Sequence, residues 1–432
     1  MSRTYRVAVV GLGKIGLPLA VQIASKGHSV VGADTNPSVV ASVNAGKTHI
    51  EEESGLAGAL NAAVADGRLK ATIDTAEATR ESEVAIVIVP LVVGADRRPD
   101  YSGFDEAVTA VGRGLREGTL VIVETTLPVG ATRSHVAPIL ETASGLAIGK
   151  GFHLAFSPER VYSGRALQDL ARYPKIVGGV DEESTRDAVA FYRAALDAEV
   201  RAVANSETAE FSKLAETTYR DVNIALANQL ALYGGARGAN LEEAFAAANS
   251  QPFSHLHRPG IGVGGHCIPV YPHFLLSDSR DGELDLVRVA RGVNDGMAAR
   301  YVRWLEDALG GLEGKRVLVL GLSYREDVKE LSFSTALAVI ELLRGAGATV
   351  LAHDPHFTAA ELAELRVEVV DLGRPVAVDA VVVQAFHREY RELDWSRLEG
   401  LRVVVDGRGA IGAGELPSRG VQLISVGRPP AR

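Results

Sequence analysis

The chain has 432 residues, 47% hydrophobic and 23% charged, and 45 basic against 54 acidic residues leave a formal charge of −9. At roughly 100–200 residues per domain this is enough for two to three domains, and the acidic balance excludes a bulk nucleic-acid binder, whose phosphate contacts need a basic face. One cysteine, Cys267, excludes an intramolecular disulfide framework and a multi-cysteine zinc site.

Arg6–Val10 is an apolar, strand-like run that starts close to Met1. No signal peptide is therefore expected, and no later apolar run reaches the ~18 residues of a membrane span. The expectation is a cytoplasmic enzyme with no membrane partner. Gly11–Gly16 reads as a glycine turn and Leu17–Lys26 as a helix. His28–Ala33, Val84–Val89, Leu120–Glu124 and, more weakly, His153–Phe156 are further buried-type runs, each followed by a helical stretch. Short apolar runs alternating with helices predict βαβ units and a largely parallel sheet. From Asn205 to Gly234 no Gly or Pro interrupts the helical spacing until Gly234 itself, which predicts one long helix capped by Gly234–Gly235. From about Glu313 a second α/β pattern begins, with strands at Lys315–Leu320, Thr349–Ala352, Ala380–Val383 and Arg402–Val405 and a helix at Phe333–Arg344. The predicted fold class is α/β: two Rossmann-like parallel-sheet domains, over 1–200 and 312–432, joined by a helical middle domain over 201–311.

Gly11-Leu-Gly13-Lys14-Ile15-Gly16 lies between a strand and a helix. The first glycine permits the tight turn, the second lets a pyrophosphate approach the backbone, and the third lets helix and strand pack closely. Asp34 closes the second strand, where a carboxylate accepts from both ribose hydroxyls. Thr35-Asn36-Pro37 after it offers no arginine for a 2′-phosphate, so NAD is favoured over NADP.

Pro259-Gly-Ile-Gly-Val-Gly264-Gly265-His266-Cys267 is too glycine-rich for a helix or strand interior. It suits a loop whose amides approach a ligand and whose end presents a thiol. A buried structural cysteine is the alternative. A metal site through His255, His257, His266, Cys267 and His273 matches no usual zinc spacing, so no metal is expected. Lys213, with Glu210 and Glu216 at helical spacing, reads either as a solvated salt-bridge face or as a functional cation. Glu159 of Ser157-Pro-Glu159-Arg160 follows a strand end, where ligands bind in parallel sheets, although a helix cap explains it equally well.

GLGKIGLPLA, VETTLPVGATR, SPERVYSGRALQDL, YPKIVGG, TAEFSKLAETTYRDVNIALANQLA, PGIGVGGHCIPV and GLSYREDVKE with AHDP after it occur in this order along nearly the whole chain. As a set they resemble the UDP-glucose/GDP-mannose dehydrogenase family, and SPERV, RDVNIA and GVGGHCIPV are most similar to its branch acting on UDP-N-acetylhexosamines. The resemblance implies a four-electron oxidation of a sugar C6 hydroxyl to a carboxylate with two NAD+, giving a nucleotide uronic acid of the kind used in polysaccharide biosynthesis. It implies that Cys267 carries a thiohemiacetal and then a thioester, that Lys213 stabilises oxyanions, that Glu159 handles protons or water, and that Thr126 orders water near the nicotinamide. Gly11, Gly13, Lys14, Ile15, Gly16, Asp34, Pro90 and Thr126 would hold NAD. Glu159, Arg160, Lys213, Arg258, Gly264, Gly265 and Arg325 would hold the nucleotide sugar. A homodimer built on the long helix is expected.

The chain departs from the family pattern at chemical positions. Thr217 stands for an Asn, Tyr271 for an Asp, Leu91-Val92 for a Thr-Pro pair, and Phe253 and Ser332 for arginines. The alternatives are a relative that stops at the aldehyde or takes an unusual nucleotide, a β-hydroxyacid dehydrogenase, and a non-catalytic nucleotide-binding protein. Two NADH per substrate distinguishes the four-electron enzyme from the first two, and NAD binding without turnover marks the last.

Overall fold

The computed structural model describes residues 3–50, 52–94, 96–162, 164–412, 414–416 and 420–427. By its internal contacts the chain divides into two compact units, Met1–Glu216 with His273–Asp278, and Thr217–Pro272 with Ser279–Arg432.

The first unit is organised by an eight-stranded sheet. Its strands are β1 (Arg6–Val10), β2 (Ser29–Ala33), β3 (Leu69–Thr72), β4 (Val84–Val87), β5 (Thr119–Val123), β6 (Phe152–Phe156), β7 (Lys175–Gly179) and β8 (Val200–Ala202). The order is β8-β7-β6-β5-β4-β1-β2-β3. Every neighbouring pair is parallel except β6–β7, which is antiparallel with Phe156 opposite Gly178. β4 and β5 are buried at every residue, because helices cover both faces; this is why they read as unbroken apolar runs. Helix Gly16–Ser25 packs Leu17, Leu19, Ala20, Ile23 and Ala24 into the core against Val7, Val9 and Val30.

The second unit holds a six-stranded, all-parallel sheet. Its strands are β9 (Arg316–Leu320), β10 (Thr349–His353), β11 (Glu368–Val369), β12 (Ala380–Val383), β13 (Val403–Asp406) and β14 (Gln422–Ser425), in the order β11-β10-β9-β12-β13-β14. Helix Thr335–Gly345 buries Ala336, Val339, Ile340 and Leu343, an i, i+3, i+4, i+7 stripe that seats it on one face with helix Met297–Leu309. Tyr390, Trp395 and Leu398 cover the other face. This is the predicted α/β class, with helices lying between the two sheets in chain order.

The long helix runs from Ser206 to Gly235. Gly235 does not terminate it in the expected way. A Cβ there would lie 2.4 Å from the Gly427 backbone, so the glycine permits close approach, and the left-handed residue comes later, at Gly238 with φ +78°. Among the described residues no helix is long and apolar enough to cross a membrane.

Candidate active site

The glycine turn has the shape of a dinucleotide cradle. Gly11 sits at φ +97°, and a Cβ on Gly16 would lie 1.9 Å from the Gly11 carbonyl oxygen, so helix and strand can meet only with glycine there. Gly13 faces open space, leaving its backbone approachable. Asp34 accepts the Leu12 amide at 2.9 Å and the Asn36 amide at 2.9 Å, which fixes a half-buried carboxylate beside the turn. Each carboxylate oxygen keeps a lone pair for a ribose hydroxyl. These residues fit NAD. Lys14 is paired with Glu52 at 3.0 Å, Ile15 is half-buried, and Pro90 is exposed.

Thr126 is buried in the turn after β5. The turn is tied down on both sides. Thr125 Oγ1 donates to the Val89 carbonyl at 2.7 Å, beside Pro90 and the buried Leu91. Glu210, on the long helix, accepts from the Thr132 amide at 2.8 Å, the Thr132 hydroxyl at 2.6 Å and the Gly130 amide. Burial pushes the Glu210 carboxyl up to about 7 despite these donors. One turn further along the helix, Lys213 is 7% exposed, which rules out a solvated face. Glu216 pairs instead with Arg160, at 2.9 Å.

Glu159 is anchored rather than free. One oxygen accepts the Arg160 and Val161 amides, and the other accepts Lys175 Nζ at 2.8 Å. Lys175 also contacts Glu124 at 2.9 Å, and the Tyr192 hydroxyl donates to Glu124. Burial raises Glu124 to about 7. Burial also pushes Glu159 upward, but the Lys175 charge and the amides outweigh it and hold that carboxyl below its ordinary range. Sequence reasoning singled out Glu159 and missed Lys175, Glu124 and Tyr192. The signal was present in YPKIVGG, where a lysine opens a strand that is otherwise apolar.

In the second unit Cys267 lies half-buried at the end of the glycine loop. The loop is clamped at three points. The Gly260 amide donates to Asn228 Oδ1 at 2.8 Å, Ile261 to the Gly407 carbonyl at 2.9 Å, and Gly265 to the Ser332 carbonyl at 3.0 Å. A Cβ on Gly264 would lie 2.6 Å from Tyr324 Cβ, and one on Gly265 3.0 Å from the Tyr324 ring. Arg325, next in sequence, donates to the Tyr324 hydroxyl. Arg258 is exposed two residues before the loop. The Tyr271 amide donates to the Cys267 carbonyl at 2.9 Å, while Thr217 is buried and Phe253 is 92% exposed. Sequence reasoning did not identify Arg408. Its guanidinium donates to the Gln384 and Tyr324 carbonyls, and a Cβ on Gly260 would lie 4.0 Å from it. Burial lowers its pKa.

A dinucleotide cradle on one parallel sheet and a glycine-walled thiol beside another are the parts of an NAD-dependent dehydrogenase that oxidises a nucleotide sugar. The chain belongs to the UDP-glucose/GDP-mannose dehydrogenase family, matching its NAD-binding domain over residues 5–196, its central domain over 207–296 and its UDP-binding domain over 318–413. It is 37% identical over 413 residues to a UDP-N-acetyl-D-mannosamine dehydrogenase of Pyrococcus horikoshii, covering 94% of this chain and 96% of that one. It is 33% identical to an NDP-N-acetyl-D-galactosaminuronic acid dehydrogenase of Ralstonia nicotianae, covering 93% and 95%. The solved Pyrococcus horikoshii UDP-D-ManNAc dehydrogenase superposes with a TM-score of 0.87 at 34% identity over 98% of this chain and 99% of that one. A UDP-glucose dehydrogenase of Pyrobaculum islandicum superposes at 0.88 with 31% identity, over 99% and 98%.

Proposed function

We propose that this dehydrogenase converts the C6 hydroxyl of a UDP-N-acetylhexosamine, UDP-N-acetylmannosamine foremost, to a carboxylate. Residues 1–200 hold NAD, 201–311 carry the catalytic cysteine and the dimer helix, and 312–432 hold the substrate nucleotide. NAD+ supplies the oxidising power, one hydride acceptor in each of two rounds. Cys267 captures the C6 aldehyde as a thiohemiacetal and keeps the carbon attached as a thioester until water releases the uronic acid and the thiol. This retention is what lets one cofactor be exchanged for another without loss of the aldehyde. Lys213 stabilises the oxyanions, Glu159 handles the proton or water, and Thr126 orders water by the nicotinamide. Arg160, Arg258, Arg325, Gly264 and Gly265 bind substrate, and Arg408 adds a cation not neutralised by an ion pair among the described residues. The working unit is a cytoplasmic homodimer.

The observation that carries this reading is the sole cysteine at the end of a glycine loop pressed on Tyr324, inside a chain with an NAD cradle. A panel of nucleotide sugars, read by NADH absorbance and product mass, tests it. Two NADH and one acid per UDP-N-acetylmannosamine are expected. One NADH with a released aldehyde, or NAD binding without turnover across the panel, overturns it.

A further inference from the structure

The one antiparallel neighbour in the first sheet has a chemical consequence. In a parallel sheet the residues that begin a strand lie at the edge opposite to the ligand-facing carboxyl ends. β7 is reversed against β6, with Phe156 opposite Gly178. Three residues beyond Phe156 is Glu159, and three residues before Gly178 is Lys175. The reversal therefore brings the first residue of β7 to the carboxyl edge, beside Glu159. Glu124 arrives at the same edge as the residue after β5. Lys175 is 5% exposed, Glu124 fully buried and Glu159 12% exposed at the side chain. The Tyr192 ring lies 5.1 Å from Lys175 Nζ, and its hydroxyl occupies Glu124.

We propose that Lys175, itself steered by Glu124 and Tyr192, is the positioning residue that keeps the Glu159 carboxylate ionised and locked in one orientation for its proton-handling step. This rests on the reading of Glu159 as a proton or water handler. Three side chains carry one positive and up to two negative charges with almost no water. Without the ammonium, two buried carboxyls face each other, and burial and like charge together favour a proton on Glu159. Glu124, raised to about 7 by burial, is already neutral where Glu159 titrates, so replacing it by the isosteric amide removes no like charge from Glu159. The other charged groups near Glu159 are already engaged. Arg160 is paired with Glu216, and Asp169 accepts the Tyr162 amide and Arg165. Tyr173 lines the same small cleft as Glu159 and Lys175. Removing the ammonium therefore shifts Glu159 while replacing the neutral Glu124 acid does not, a contrast that a merely structural salt bridge does not produce.

The test is the pH dependence of kcat with NAD+ and UDP-N-acetylmannosamine for the full-length enzyme and its Lys175→Met, Lys175→Arg, Glu124→Gln and Glu159→Gln variants. Lys175→Met should move the acid limb up by about one to three pH units, the range for an opposite charge at contact. Glu124→Gln and Lys175→Arg should both stay near the parent, since the first replaces a neutral acid by its isostere and the second keeps the cation. NAD+ affinity should hold within about three-fold, which reports an intact cradle. An unchanged acid limb in Lys175→Met, with Glu159→Gln inactive, overturns the proposal while leaving the role of Glu159 intact. Full kcat in Glu159→Gln removes the group being positioned and overturns both. If Lys175→Met does not fold, Lys175→Gln decides: an upward-shifted acid limb supports the proposal and an unshifted one overturns it.

Discussion

Asp34 and Asp354 hold the same position in successive α/β folds: Asp34 accepts the Leu12 amide at 2.9 Å, and Asp354 accepts the Leu322 amide at 2.7 Å. Each follows the second strand of its sheet, and each accepts the amide two residues on, from Asn36 or His356. They differ in what remains for a ligand. Asp354 is 2% exposed and also takes the Ser323 amide and His387 Nε2. His387 Nδ1 is occupied in turn by the Asp327 amide. The cluster of Asp327, His356 and His387, whose ligand atoms approach one another, therefore has one imidazole with both nitrogens committed. The position matching Gly16, five residues after Gly321, is Glu326.

Asp34→Ala should therefore weaken NAD+ by about ten- to a hundred-fold, the worth of a charge-assisted hydrogen bond of ~1.5–3 kcal/mol. NADP+ should lose less, since its 2′-phosphate no longer meets a negative charge. Asp354→Asn should leave NAD+ affinity unchanged and lower the melting temperature. Equal wild-type efficiency with both cofactors would show that Asp34 does not read the ribose.

Glu210 predicts a pH slope in stability. Its folded pKa of about 7 lies above the ordinary 4.5. Between those values the folded chain keeps a proton that the unfolded chain has released, so this contribution to stability falls as pH rises from about 4.5 to about 7 and then levels off. Glu210→Gln should flatten that part of the Tm-versus-pH curve. It should also lower kcat, because an amide cannot accept from all three donors of the Gly130–Thr132 turn. Scanning fluorimetry between pH 4.5 and 8 reads the first effect.

Cys267→Ser should bind NAD+ normally and form no thioester. In the parent enzyme, intact mass after a single turnover should show substrate carbon on Cys267. Two NADH still formed by Cys267→Ala at the parent rate would sink the covalent route.

The resemblance implies a carboxylate at the position of Tyr271 and a carboxamide at that of Thr217, and the slow hydrolysis expected of this chain rests on that reading. Tyrosine is neutral near pH 7, and threonine has the shorter reach. Thioester hydrolysis should suffer more than the first hydride transfer, so turnover should be slow and the Cys267 adduct should accumulate. Tyr271→Asp with Thr217→Asn should raise the steady rate and shrink the adduct. An unchanged ratio of burst to steady rate would show that these two positions do not control hydrolysis.

The long helix exposes Tyr219, Leu226, Leu230 and Tyr233, at spacings of seven, four and three residues. An apolar seam with that period is what a second helix packs on. Sedimentation should give a dimer at micromolar concentration, and Leu226→Asp with Tyr233→Asp should give a monomer. A parent monomer would refute the pairing.

The elements legible in the sequence were those whose environment is simple. β1, β4, β5 and β12 lie in sheet interiors, and their apolar runs appear directly. β3 alternates buried and partly exposed residues at a sheet edge, β7 carries two glycines and a lysine, and β11 has two exposed residues. None of them presents a run to read. The glycine turn and Asp34 were visible because backbone geometry demands those residues. Lys175, Glu124 and Arg408 were not, since their meaning lies in partners far along the chain. Lys213 looked like a surface lysine between glutamates, until Glu210 and Glu216 proved to face the Thr132 turn and Arg160.

The glycines before Cys267 also set where this enzyme can be altered. Gly262 stands at φ +148°, with a Cβ position 2.3 Å from the Thr335 side chain, and Gly264 and Gly265 are closed off by Tyr324. Nearly any substitution in the loop meets a wall or a forbidden backbone angle. Retuning the thiol or admitting a different sugar must therefore proceed through the residues that form the wall. Tyr324, Ser332 and Glu330, which holds Ser332 and approaches His266 at 3.3 Å, are the positions a mutational library should sample.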